Sequence, residues 1–231
     1  MEIAVTSDLH GYLDFKLESQ IELFLVGGDI FPDEINSVLS QELWLTNTFI
    51  PKIKSLGNFL TLLVAGNHDR WFEVYSENET KLKKILGNNI IYLHNSFFEY
   101  FDNEGNYWKI FGTPFCKVDG NMSFMMSDKM LCKIYNTIPT DIDILISHDT
   151  PRFLEFSAIK ETEGNYNTFS GNLELKKCID RIKPKYTFCG HIHYPTKNLV
   201  NIGPTRIQNV SQKFYKINTE KIYQFNLSKI Y

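Results

Sequence analysis

Five short apolar runs in this chain all stop at the same kind of residue, and that repetition constrains the fold more than any other feature. "EIAV" (2–5) halts at Ser7-Asp8, with His10 close behind. "IELFLVGGDIF" (21–31) breaks at Gly27-Gly28-Asp29, and "NFLTLLVAGNHD" (58–69) at Gly66-Asn67-His68-Asp69. "DILISHDTP" (143–151) stops at Ser147-His148, and "YTFCGHIH" (186–193) at Gly190, His191 and His193. Short apolar runs bounded by glycine or polar clusters read as strands buried on both faces. Helix-like stretches lie between them, so the strands are expected to run parallel and the fold class is α/β. In open α/β sheets, sites form outside the carboxyl ends of the strands. Five ends carrying ligand-type side chains therefore predict one shared site.

The intervening segments fill in the plan. Residues 34–50 carry Ile35, Val38, Leu39, Leu43 and Ile50 at helical spacing, with Asp33 as the candidate N-cap and Pro51 expected to end or kink the helix. Residues 76–86 and 170–182 are further helices, the second capped by Ser170 or Asn172 and ending before Pro184. Two aromatic-rich runs in 96–115 flank Asp102-Asn103-Glu104-Gly105, a hairpin signal. The tail beyond Arg206 alternates around Asn218-Thr219-Glu220 and predicts another hairpin. Residues 116–135, which hold most of the methionines, read as a loose core helix or as a mobile lid or rim near the site. With no repeat and no linker, residues 1–231 read as a single domain.

The chain has six histidines; five fall at the strand ends, and His94 alone does not. Asp8, His10, Asp29, Asn67, His148, His191 and His193 together offer more nitrogen and oxygen donors than one tetrahedral zinc site accepts. They suit two adjacent metals, about 3.5–4 Å apart in two-metal hydrolases, with Asp29 as the natural bridging carboxylate. Imidazole, carboxylate and amide donors exclude a soft Cu(I) site and leave Mn, Fe, Zn, Co and Ni open, with Mn favoured.

The order D-x-H, G-D, G-N-H-D, S-H, G-H-x-H resembles the calcineurin-like metallophosphoesterase superfamily. That resemblance implies a four-layer fold, two mixed β-sheets packed as a sandwich and flanked by helices, with the site at the strand C-terminal ends. It assigns one metal to Asp8, His10, Asp29 and His193, and the other to Asp29, Asn67, His148 and His191. It places His68 beside the phosphate, as general acid or transition-state stabiliser, while a hydroxide between the metals attacks phosphorus in line. Asp69 either holds the His68 ring in one tautomer or caps the helix that follows. "GGDIFPDE" departs from the G-D-x-V-D-R-G of the Ser/Thr phosphatases. "IFGTPF" (110–115), "SHDTP" (147–151) and "NIGPTRIQNVS" (201–211) are similar to the metallophosphoesterase-domain-containing branch, akin to class III cyclic-nucleotide phosphodiesterases. The activity implied is hydrolysis of a small phosphodiester, a cyclic nucleotide being the leading example. The alternatives are a phosphomonoesterase or protein phosphatase of the same superfamily, or a non-catalytic scaffold. Retention of all seven ligands and His68 weighs against the scaffold.

Charge and composition narrow the partners. The formal net charge is −3 and no basic run follows the chain, so duplex DNA is not expected as a partner. No apolar stretch reaches the ~20 residues that span a membrane. The opening "MEIAVTSDLHG" lacks the basic and apolar regions of a secretory signal, and four scattered cysteines read as reduced thiols, which together predict a cytoplasmic protein. Arg70 and Arg152, with Arg206, are candidate phosphate clamps, because a guanidinium fork fits phosphate geometry. Tyr12, Phe115 and Tyr194 flank the motifs and would either stack on a base or serve core or rim packing. Asn209 and Ser211 belong either to the site or to strand pairing. The oligomeric state stays open, a homodimer being one option.

Overall fold

The computed structural model describes residues 1–17, 20–153, 171–193, 198–213, 215–218 and 222–224. Its first large sheet is built on β1 (Glu2–Thr6), β2 (Leu23–Val26), β3 (Leu60–Leu63) and β4 (Ile90–Tyr92), which run parallel in that order. The second is built on β5 (Ser96–Phe101), β6 (Tyr107–Thr113), β9 (Ile144–Ser147), β10 (Tyr186–Cys189), β11 (Val200–Ile202) and β12 (Thr205–Asn209). Strands β6, β9, β10 and β12 are mutually parallel, while β5 and β11 close the two edges antiparallel. Between β6 and β9 in the chain, β7 (Cys116–Lys117) and β8 (Met125–Met126) form a short parallel pair. A tail hairpin, β13 (Tyr215–Asn218) and β14 (Ile222–Gln224), adds to the first sheet beside β1. Its strands match the expected tail hairpin, whose tip at Thr219 and Glu220 lies outside the described residues.

Alternation along the central strands explains why their sequences are apolar throughout. Ile3 and Val5, Leu23 and Leu25, Ile110, Ile144 and Ile146, and Phe188 point into one core shared by the two sheets. Their neighbours Ala4, Phe24, Val26, Leu63, Phe111 and Leu145 point outward and pack under helices. A strand buried on both faces cannot alternate polar with apolar residues. The outer layers are α1 (Val38–Trp44), α2 (Ile50–Leu56), α3 (Arg70–Tyr75) and α4 (Glu79–Leu86), with α5 (Asp128–Asn136) and α6 (Leu173–Ile182). The result is two mixed sheets flanked by helices, as expected of the metallophosphoesterase fold. No described helix is long and apolar enough to cross a membrane.

Two local expectations, both about the helix over 34–50, need correction. The helix predicted over 34–50 starts later, at Val38, where Ser37 rather than Asp33 caps it by accepting from the Ser40 N–H. It also passes through Pro51 and reaches Leu56. A π-helical turn at Leu45–Phe49 makes this possible, with the Ile50 N–H bonded to the Leu45 carbonyl. The wider turn accommodates a residue that brings no N–H of its own. The helix expected over 76–86 is α4, which starts at Glu79 behind its Asn78 cap, and α3 is a separate helix just before it. By contrast, α6 is capped by Asn172, whose side chain accepts from the Leu175 N–H; the alternative cap, Ser170, lies outside the described residues.

Candidate metal centre

The ends of β1, β2, β3, β9 and β10 bring the expected ligands together. Each ligand sits one to four residues past a strand, on backbone that turns sharply. Asp8, His10, Asp29 and His191 all have positive φ, between 43° and 66°. Non-glycine residues rarely adopt this left-handed region, and it concentrates at functional sites. The turns are locked by backbone bonds across strands: the Asp8 N–H donates to Gly28 O and the His10 N–H to Asp29 O, each at 2.9 Å. Two glycines permit the approach. A Cβ on Gly66 would strike Asp29 and His148, and one on Gly190 would strike Ser7 and Asp8.

Two clusters of the expected ligands result, beside a third group in which Asp33 joins His10 and His68. In the first, Asp8, His10 and His193 converge, with His193 Nε2 at 3.1 Å from Asp8 Oδ1. In the second, Asp29, His148 and His191 converge. Asn67 joins this second group, its Oδ1 at 2.9 Å from His148 Nε2. Asp29 stands between the two, its Oδ2 at 3.4 Å from His148 Nε2 and 3.9 Å from His10 Nε2. The His148 Nδ1 is engaged by the Gly27 carbonyl at 2.9 Å, which leaves Nε2 as the atom turned toward the cluster. His10 Nε2 is buried and has no hydrogen-bond partner among the described residues. An orphaned ring nitrogen beside carboxylates, in a donor set of imidazole, carboxylate and amide, is what divalent cations of the Mn-to-Zn series accept.

The electrostatics agree with a site shaped for positive charge. Burial opposes ionisation of Asp29, yet the His148 ring and the His68 backbone N–H outweigh it and hold the carboxyl below its usual range. Asp8 is lowered in the same way, its burial offset first by the hydrogen bond to His193. Burial alone would depress His148, but the Asp29 and Asp8 charges lift it to about 10. His191 is pushed down by burial and by the neighbouring His148.

His68 lies at the edge of this group, its side chain 29% exposed and its ring 4.9 Å from that of His10. Asp69 does neither of the things expected of its side chain. It is fully buried, and its carboxylate accepts from the backbone N–H groups of Gly66 at 2.8 Å and Ile30 at 3.0 Å. It begins α3 by position without a side-chain capping bond, and it staples the loop carrying Asp29 to the loop carrying Asn67. Burial and the Asp29 charge push it up to about 7. The carboxylate that meets the His68 ring is Asp33, at 3.2 Å from Nδ1, and the same oxygen lies 2.7 Å from His10 Nδ1.

Sequence reading also passed over Gln41. It is buried on α1, donates to the His68 carbonyl at 2.8 Å and accepts from the Trp71 N–H at 2.8 Å. A polar residue one turn from apolar neighbours was its only signal. Asn209 and Ser211 both donate to the Ile192 carbonyl, at 3.0 and 3.2 Å, and so brace the loop between His191 and His193. Arg70 is exposed at the start of α3, and the Arg152 N–H donates to Asn172 O. Arg206 sits against Tyr186 at the far end of β10, away from the ligands. Phe115 is core, Tyr12 is exposed, and Tyr194 lies outside the described residues. No disulfide joins the four cysteines.

The family model for the calcineurin-like phosphoesterases matches residues 1–195. Among curated proteins, the chain is 29% identical over 156 residues to UPF0046 protein C25E10.12 of Caenorhabditis elegans, covering 63% of this chain and 53% of that one. It is 27% identical over 161 residues to UPF0046 protein K07C11.7 of the same organism, covering 65% and 51%. The chain thus spans about half the length of the curated relatives it matches. A solved structure of 16% sequence identity superposes with a TM-score of 0.67 over 97% of this chain and 99% of its own, a likeness of fold.

Proposed function

This chain belongs to the calcineurin-like phosphoesterase family, and from that premise we propose that it hydrolyses a small phosphodiester with the help of two divalent cations. The observation that carries the reading is the placement of Asp29, one carboxylate within reach of both ligand clusters. Asp8, His10, Asp29 and His193 would hold one cation, and Asp29, Asn67, His148 and His191 the other. Bound there, the pair would supply positive charge to the phosphoryl oxygens and acidify water for the attack. Manganese is the favoured occupant.

The chain's own groups supply the rest. With His68 Nδ1 turned to Asp33, Nε2 is the nitrogen left to face a departing ester oxygen and give it a proton. Gln41 fixes the His68 backbone, and Asp69 fixes the loops on either side of it. Arg70, next but one to His68 in the chain, and Arg152 are the proposed phosphate contacts. A cyclic nucleotide is the finer substrate assignment, on the motif resemblance alone. A single domain over 1–231 and a cytoplasmic setting belong to the same reading, the latter supported by cysteines that form no disulfide with one another.

The test is hydrolysis of bis-p-nitrophenyl phosphate against p-nitrophenyl phosphate by metal-stripped protein, with and without added Mn²⁺. Metal-dependent cleavage that favours the diester is expected. A monoester preference would move the assignment to a phosphomonoesterase, and no turnover by protein that has bound metal would overturn hydrolysis of simple esters.

A further inference from the structure

The segment between β6 and α5 is anchored to the second ligand cluster at both flanks. The Lys117 N–H donates to the Asp149 carboxylate at 2.8 Å, one residue past His148. The Ser123 N–H donates to the Asn67 carbonyl at 3.2 Å, and the Phe124 N–H to Glu73 Oε1 at 2.9 Å. Phe124 is held at a positive φ of 57° in doing so. Between these anchors Met122 lays its thioether against a ligand: Asn67 Nδ2 donates to Met122 Sδ at 3.3 Å.

That contact bears on which end of the Asn67 amide faces the cluster. A primary amide has one accepting end and one donating end, and only the oxygen can bind a cation. Asn67 Oδ1 points to His148 Nε2, into the space shared with Asp29, while Nδ2 points to the sulfur. Asn67 is buried, so turning the amide over would aim its N–H₂ at the ring nitrogen and at any cation there. A thioether accepts hydrogen bonds weakly and donates none. It therefore suits only the N–H₂ end.

We propose, resting on the metal reading above, that Met122 is a positioning residue that holds the Asn67 amide with its oxygen toward the second cation. It acts through Asn67 and does not touch substrate. Groups that orient metal ligands commonly change affinity by about 10–100-fold when removed, and a weak acceptor belongs at the low end of that range.

The test is Mn²⁺ titration of the metal-stripped full chain, followed by the loss of the free-ion electron paramagnetic resonance signal. Met122→Leu keeps the volume and removes the acceptor; Met122→Gln restores an acceptor at similar reach. In Met122→Leu, one Mn²⁺ should bind as in wild type and the other about tenfold more weakly, with the melting temperature of the stripped protein unchanged. Met122→Gln should bring the weaker site back to within about twofold of wild type. Wild-type affinity at both sites in Met122→Leu would overturn the proposal. So would equal weakening in Leu and Gln variants, which would mark a packing effect. A wild-type chain that takes up no Mn²⁺ would instead sink the metal reading, and this inference with it.

Discussion

The Asp33 carboxylate meets the His68 ring at 3.2 Å, and the same oxygen lies 2.7 Å from the ring of His10. One exposed acid thus couples a candidate metal ligand to the candidate proton donor. Asp33→Asn should lower kcat on bis-p-nitrophenyl phosphate by roughly tenfold or more with little change in KM, because it disturbs ring orientation and not substrate contact. Steady-state kinetics with metal content measured in parallel checks this. An unchanged kcat would mean the two rings are held by other groups.

His68 itself belongs to none of the two ligand clusters that share Asp29. His68→Ala should keep both metals, measured by elemental analysis, and lose turnover by about 10²–10⁴, the usual contribution of a positioned acid. Loss of metal along with activity would make it a ligand.

Metal removal has a pH signature. In the metal-free protein His148 is lifted to about 10, so its proton stabilises the fold fully below the unfolded value near 6.5. That stabilisation is lost as pH rises through about 10. A cation on Nε2 must displace the same proton, so its affinity rises with pH. The melting-temperature gap between loaded and stripped protein should widen from pH 7 to pH 9. A constant gap would show that His148 carries no proton in the stripped protein.

Gly66 is, with Gly190, one of the two tightest points of the centre. Gly66→Ala places a methyl 2.5 Å from His148 Cε1 and 2.7 Å from the Asp29 backbone nitrogen, which cannot yield. Denaturant titration should show a loss of about 1–3 kcal/mol, and metal uptake should fall with it. Wild-type stability would mean that the β3 loop shifts freely.

Much of the fold was legible because burial on both faces writes itself as continuous apolar sequence, and the site because histidines are few and stand where such runs end. The details that escaped depend on backbone direction. Asp33 follows Pro32 and looks like an ordinary helix start; only the left-handed turn at Asp29 swings it back onto two histidines. Asp69 is adjacent to His68, yet adjacency sends its side chain the other way, into the loop backbone. Met122 lies 55 positions from Asn67, and nothing local marks the pair.

The Asp8 carboxylate receives the His191 N–H across 183 residues and the His193 ring across 185. The chain through His193 must therefore be made before the proposed first cation site has all its candidate ligands. At ordinary synthesis rates that is a delay on the order of ten to forty seconds after Asp8 is made. On the proposed metal reading, loading is thus a late event in synthesis, and a chain truncated ahead of His191 would lack residues that complete the centre.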